Sequence, residues 1–354
     1  MFKELWCKLA AASAGSQGVL PGKRGISIGY PTDQAVLGEQ RSGIAPVSDV
    51  LRLLGEGATG AILLALSDGP VQTKVLTHRV RGYTARTIYR YLPRLARLGV
   101  VERNEEPDGS AKVLNTLTPA AGSDLCAVVE RFARASGTRL PGGQVEPGTW
   151  GTLGLLADLW ETGMVDELSR GPRSPTDLVQ IRHGLSYHQV NRRAGRFREA
   201  GFLRETEHSR NRQRSYAFTD KARRTMGLVA AIGHWRLHHG TADDAGLTAA
   251  EMATVLRASL PLAEVPAHAG KALQIRISGE EEEAELWVRA DGRGHIEAFD
   301  AAPGQLDAFA TGDLEAWLAA IVDDEPLVPA SGDEGFVRDC LASLHQRLWT
   351  PSPS

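Results

Sequence analysis

Cysteine is nearly missing from this chain. Cys7, Cys126 and Cys340 are its whole complement in 354 residues, far apart and without a CxxC pair. That excludes a disulfide-stapled framework and favours a reducing compartment, read here as the cytoplasm. Long apolar runs are lacking too: nothing approaches the ~18 consecutive apolar residues of a membrane-crossing helix, so no membrane partner is expected. The opening MFKELWCKLAAASAG mimics an export leader, but Glu4 and Lys8 interrupt it, and Phe2, Leu5, Trp6 and Leu9 fit one helical face better. Lysine is scarce, 7 of the 40 basic residues. A GC-rich genome gives the same bias, so the arginine excess alone assigns nothing. No local Ser-His-Asp or Cys-His arrangement stands out. The chain reads as a non-enzyme, with no cofactor and no metal expected.

What is present is unevenly spread. Residues 241–354 hold 21 acidic and 7 basic side chains, net −14, which leaves 33 basic and 22 acidic before them, net +11. Such asymmetry fits a nucleic-acid-binding portion joined to an acidic portion of other purpose. The basic portion is also repeated. Residues 69–103 lie on 171–205 at an offset of 102: Gly69-Pro70 on Gly171-Pro172, Gly82 on Gly184, Thr84 on Ser186, Arg90 on Arg192, Arg94 on Arg196, Gly99 on Gly201. An internal repeat decides how the whole fold is read.

Composition breaks give the domain plan. Residues 1–46 form an N-terminal arm, with much of 14–46 expected to be mobile. Residues 47–136 make a first unit, 137–148 a Pro/Gly-marked linker, 149–240 a second unit and 247–348 a third. The third changes character: LQIRIS, ELWVRA and HIEAF alternate as strands do, and DLEAWLAAIV and GFVRDCLASLHQRL follow as helices.

Inside each repeat an apolar helix (Ala61 to Leu66; Met164 to Leu168) ends at the Gly-Pro, since Pro cannot continue it. A short second helix follows. Thr84 or Ser186 then stands where an N-cap would, opening a third helix that turns Ile88, Leu92, Leu95 and Leu98, or Val190, Ala194 and Phe197, inward. Pro93 should bend the first of these third helices. A glycine, two strands and a polar turn complete each copy, as EPDG before AKVLNTL and HSRNRQ before SYAFT.

This order resembles the HxlR branch of the winged-helix regulators, which is related to MarR proteins. LLADLWETGMVDELSRGP, with Trp160, resembles that family's opening helix, GLSYHQVNRRAGRFREAGFLRE its recognition helix, and FTDKARRTMGLVAAIGHW, with Trp235, its closing strand and dimer helix. The last hundred residues resemble the sterol-carrier-protein type of lipid-binding domain, on the strands named above together with AFATGDLEAWLAAI and PASGDEGFVRDCLASLHQRL. The resemblances imply a fold that is mainly α with α+β: two tandem winged helix-turn-helix units plus a C-terminal α+β sterol-carrier-like domain.

Double-stranded DNA is the expected partner. A helix in the major groove needs outward donors at its start and guanidiniums behind them. Thr84, Arg86, Thr87, Arg90 and Arg94 offer these in the first copy. Ser186, Tyr187, His188, Gln189, Arg192, Arg193 and Arg196 do so in the second, with Arg210, Arg212 and Arg214 on its hairpin. The acidic first hairpin, with Glu105, Glu106 and Asp108, should repel phosphate, which favours the second copy as the stronger binder. An apolar small-molecule effector is expected among Leu273, Ile275, Leu286, Val288, Phe299, Leu314, Trp317, Leu318 and Ile321, residues that serve equally as a filled core. One chain with two heads implies an intrachain pseudo-dimer, Trp235 packing on Leu125, Val128, Val129 and Phe132, or a homodimer. The main reading is a ligand-responsive, sequence-specific transcriptional regulator. A carrier of an apolar molecule and a repair-type enzyme built on winged helices stand as alternatives.

Two motifs are set aside. Gly55-Glu56-Gly57-Ala58-Thr59-Gly60 has the letters of a dinucleotide fingerprint without its strand-turn-helix setting. His234, His238 and His239 have metal-like spacing but no accompanying carboxylate or cysteine.

Overall fold

The computed structural model describes residues 47–105, 113–135, 147–181, 185–207, 214–240, 246–280, 282–323, 325 and 328–350. The expected arm, most of the linker and both hairpin tips, with Arg210 and Arg212, lie outside the described residues.

The first series runs α1 (Val47–Gly55), α2 (Ala58–Leu66), β1 (Val71–Gln72), α3 (Thr73–Arg79), α4 (Ala85–Arg97), β2 (Val101–Glu105), β3 (Val113–Leu117) and α5 (Ala121–Ala135). The second runs α6 (Pro147–Glu161), α7 (Met164–Ser169), α8 (Pro175–Ile181), α9 (Tyr187–Glu199), β4 (Leu203–Glu207), β5 (Arg214–Phe218) and α10 (Asp220–His239). In the first, β1, β3 and β2 form an antiparallel sheet in which Val71 faces Asn115. In the second, β4 and β5 form a hairpin, and β1 is reduced to a single bridge between Arg173 and Tyr216. Those pairs stand at offsets of 102 and 101, so the repetition extends to individual backbone partners.

Local chemistry explains the shared course. Gly99 and Gly201 follow the third helices at φ 68° and 75°, a left-handed conformation that glycine adopts without a Cβ clash. The Thr118 hydroxyl then donates to Gly99 O at 2.7 Å, and that of Thr219 to Gly201 O at 2.6 Å. Each threonine ties the end of its hairpin to the end of the third helix.

The terminal region adds α11 (Ala249–Ser259), β6 (Ala272–Ser278), β7 (Glu283–Ala290), β8 (Ile296–Phe299), β9 (Ala308–Asp313), α12 (Leu314–Val322), β10 (Ala330–Gly332) and α13 (Glu334–Trp349). Its sheet has the order β10-β9-β6-β7-β8, with β6 and β9 parallel and the other pairs antiparallel. Leu273, Ile275, Ile277, Leu286 and Val288 are buried on one face, the side on which α11, α12 and α13 contact the sheet. The protein is thus a mixed α and β fold.

A single buried cluster runs from Val47 to Leu348. Its hub is α10, which touches α1, α5, α11, α12 and α13 and is buried without interruption from Thr225 to Gly233. A helix buried on all sides has no solvated stripe, which is why its apolar residues show no clean amphipathic period. Trp235 Nε1 donates to Ala121 O at 2.8 Å, joining α10 to α5. Two glycines of the GEGATG run serve helix packing: a Cβ on Gly55 would lie 2.1 Å from Gly154 N of α6, and one on Gly60 2.6 Å from the Trp150 ring. Among the described residues no helix is long and apolar enough to cross a membrane. Cys126 and Cys340 are free and buried, and desolvation pushes both thiols up to about 12, which leaves little nucleophilic thiolate.

Candidate nucleic-acid interface

Both third helices are firmly capped. Thr84 Oγ1 accepts from Thr87 N at 3.3 Å, and the two threonine hydroxyls lie 2.9 Å apart. Ser186 Oγ accepts from Gln189 N at 3.3 Å while Gln189 Oε1 accepts from Ser186 N at 2.8 Å, a complete capping box. Gln189 is among the expected donors, and a side-chain amide that reads adenine does so through two points. Two-point pairing needs both the oxygen and the nitrogen, and the oxygen is committed to the cap.

With Ile88, Tyr91, Leu92 and Leu95 of α4 and Val190, Ala194 and Phe197 of α9 buried, the opposite faces point to solvent. Arg86, Arg90, Arg94 and Arg97 are exposed on α4, and Tyr187, His188, Arg192 and Arg196 on α9. Their availability differs. Arg90 donates to Tyr91 Oη at 2.7 Å, and its guanidinium lies over that ring. Arg94 pairs with Glu56 at 3.0 Å. Arg193, expected to be outward, turns inward instead to Asp158 of α6 at 3.1 Å and is only 20% exposed. Its place one residue round from Arg192 carries it off the outer face and towards α6. Arg86, Arg97, Arg192 and Arg196 have no ion-pair or hydrogen-bond partner among the described residues. Arg214 projects from β5, 71% exposed and 3.7 Å from Glu205.

Sequence reasoning centred on the third helix and missed its neighbour. Lys74, His78 and Arg79 on α3 and Arg81 after it are all exposed, a basic run legible in TKVLTHRVR. At the offset of 102, Lys74 and His78 correspond to Thr176 and Gln180 of α8, both exposed and uncharged. Around its third helix, the described part of the first copy is therefore the more cationic. Two exposed aromatic rings, Tyr89 on α4 and Tyr187 on α9, belong to the same surfaces. Beside α9, a cleft of about 390 Å³ opens between α8 and β5, lined among others by Thr176, Tyr187, Asn191, Arg198, Arg214 and Tyr216.

The expected apolar effector set behaves otherwise. Leu273, Ile275, Leu286, Val288, Trp317, Leu318 and Ile321 are each at most 1% exposed, packed in the main core. Leu314 is half-buried at the start of α12. Phe299 is on the wrong face for this set: it pairs across the strands with Trp287, which alternates with Leu286 and Val288 and so points away from them. Of the histidines, His239 approaches Asp124 at 2.7 Å and His234 approaches Asp323 at 3.6 Å. Burial holds the His234 imidazole below its ordinary value, partly offset by Asp323. No group of three or more potential metal ligands is found among the described residues.

Comparison of the chain with protein-family models, with curated proteins and with solved structures finds no match.

Proposed function

We propose that the chain is a sequence-specific, DNA-binding transcriptional regulator of HxlR-like type that reads duplex DNA with two tandem winged helices, one built on α2 to β3 and the other on α7 to β5. The observation that carries this reading is the repeated frame with outward cations: Arg86 and Arg97 on α4, Arg192 and Arg196 on α9, all exposed. Guanidiniums suit both guanine edges and phosphates. Lys74, Arg79 and Arg81 add phosphate-seeking charge beside α4.

Two heads in one chain make an intrachain pseudo-dimer, joined where α1 packs on α6 and α5 on α10. A symmetric homodimer reads two like half-sites, because its heads are identical. Here Arg86 and Thr87 stand where the other head has His188 and Gln189. Unlike donors select unlike bases, so the operator is expected to be asymmetric.

The test is a salt titration of binding to the chain's own upstream region and to random duplex. Phosphate contacts give a steep loss of affinity with salt, and base contacts a preference of the order of 10³-fold or more for the specific site. Equal affinity for both duplexes at every salt concentration sinks the proposal.

A further inference from the structure

We propose that a second cavity, bordered by α7, is an effector site for a small organic cation with a flat apolar body. Its regulatory part rests on the DNA-binding reading; the binding itself does not. The cavity measures about 580 Å³ and lies between α6 and α7 on one side and α11, β7 and Asp300 on the other. That is within the roughly 300–1,000 Å³ of small-molecule sites. Alanines at 250, 253 and 284 and Gly163 leave the space unfilled.

The charges on its wall decide the ligand class. Five carboxylates line it against two guanidiniums. Asp166 and Asp300 are already neutralised: Arg257, 5% exposed, lies 3.3 Å from each, and Arg170 lies 3.3 Å from Asp166 and 2.8 Å from Asp300. Glu161 is held by Arg52 and Glu285 by Arg276, both from outside the cavity. Glu251 differs. Its carboxylate accepts from Trp160 Nε1 at 3.0 Å and from Thr248 N at 2.9 Å, both neutral donors, and no cation approaches it among the described residues. An uncompensated carboxylate touching the edge of an indole is a pair of contacts suited to a cation, whose charge meets the carboxylate while its body lies against the ring.

Helix α7 connects this cavity to the proposed DNA face. Asp166 lines the cavity, and the next residue, Glu167, lies 3.6 Å from Arg173. Arg173 and Tyr216 exchange backbone hydrogen bonds of 3.0 and 2.8 Å, and Tyr216 lines the cleft beside α9 with Arg214. A cation seated against Glu251 and Trp160 shares the cavity with Asp166, and so borders the helix that meets the root of the hairpin. Coupling requires unequal affinity for two arrangements of that helix.

The experiment uses the full chain and three matched probes, benzyltrimethylammonium, phenylacetate and benzyl alcohol, followed by calorimetry and tryptophan fluorescence. The ammonium probe is expected to saturate a single site, and phenylacetate to bind more weakly. Glu251→Gln, which keeps the shape of the side chain, should weaken the ammonium probe by about ten-fold or more, roughly 1.4 kcal/mol. Ala284→Leu, which narrows the cavity and leaves Glu251 intact, should weaken it as well. Tighter binding of phenylacetate, an unchanged affinity in both variants, or no saturable ammonium binding below about 1 mM (roughly −4 kcal/mol) overturns the site. DNA affinity measured with and without saturating probe separates the claims. Probe binding without any DNA binding defeats the regulator reading alone, and unchanged DNA affinity at saturation defeats the coupling through α7.

Discussion

The two copies solve one structural problem with different chemistry. In the first, the root of the hairpin is stitched by a buried neutral amide: Asn115 Nδ2 donates to Val71 O at 3.1 Å and to Thr73 Oγ1 at 2.9 Å. In the second, Tyr216 occupies that place, and the opposite strand residue is Arg173, 3.6 Å from Glu167. The first copy keeps its link within itself. The second passes it to α7, whose Asp166 meets Arg257 and Thr254 of α11. The first copy joins the rest of the molecule through α1, which packs on α6, and through α5, where Ala121 O receives the Trp235 indole and Arg131 donates to Val322 O. A duplicated frame can therefore secure one hairpin root within its own copy and link the other, through α7, to the terminal region.

The comparison breaks most visibly at the seam between the copies. Gly55→Val should destabilise the fold by about 3 kcal/mol or more, since the new Cβ meets α6 backbone that cannot turn aside. Gly151→Ala on exposed α6 surface meets nothing within 4 Å, and should instead stabilise by about 0.4 to 1 kcal/mol. Urea unfolding of both variants checks the pair, and a Gly55→Val protein as stable as wild type removes the tight crossing.

Next in size is the hairpin root. Asn115→Leu should cost about 1 to 3 kcal/mol, because Val71 O and Thr73 Oγ1 lose a buried donor, whereas Tyr216→Phe in the other copy should be nearly neutral. Equal losses in denaturant midpoints would show that the two roots are not differently built.

Arg192→Ala should lower affinity for the specific duplex by roughly 1 to 3 kcal/mol if it reads a base, and Arg86→Ala by a comparable amount if the first head reads as well. Arg193→Ala, which removes a partly buried pair with Asp158, should leave affinity unchanged and cost stability instead. An electrophoretic titration that finds Arg193→Ala the weakest binder reverses the assignment.

The smallest effect concerns acidity. Burial, the larger influence, lowers the His234 pKa against the opposing pull of Asp323. The unfolded chain therefore takes up a proton more readily, and its contribution to stability falls as pH drops through the ordinary imidazole value near ~6.5. His234→Gln should flatten the difference in urea midpoint between about pH 7.5 and about pH 5.5; an unaltered difference places the titration elsewhere.

Much of the frame was legible because backbone punctuation is local. Gly99 and Gly201, Thr84 and Ser186 act within a few residues of themselves, so their repetition at one spacing marks the same turns and caps in both copies. The outward or inward place of Ile88 and Val190 follows from helical period alone. Availability of the charges was not legible. Arg193 and Arg94 find Asp158 and Glu56 35 and 38 residues away, and no spacing rule encodes such partners. Phe299 was misplaced because a short strand's register decides its face, and one step of alternation reverses it. The cavity at Glu251 was invisible for a similar reason: its walls come from segments more than a hundred residues apart.

What the sequence by itself determined is the repeat, the caps and turns that delimit its helices, and the division between a basic portion and an acidic one. Each of these is a property of neighbouring residues or of summed charge, which needs no third dimension. Only the tertiary structure decided which arginines remain unpaired, that seven of the nine expected pocket residues fill the core, and that Glu251 stands beside Trp160 without a cation. Those outcomes depend on which distant side chains folding brings within a few ångströms, and that is set by packing around α10 as a whole.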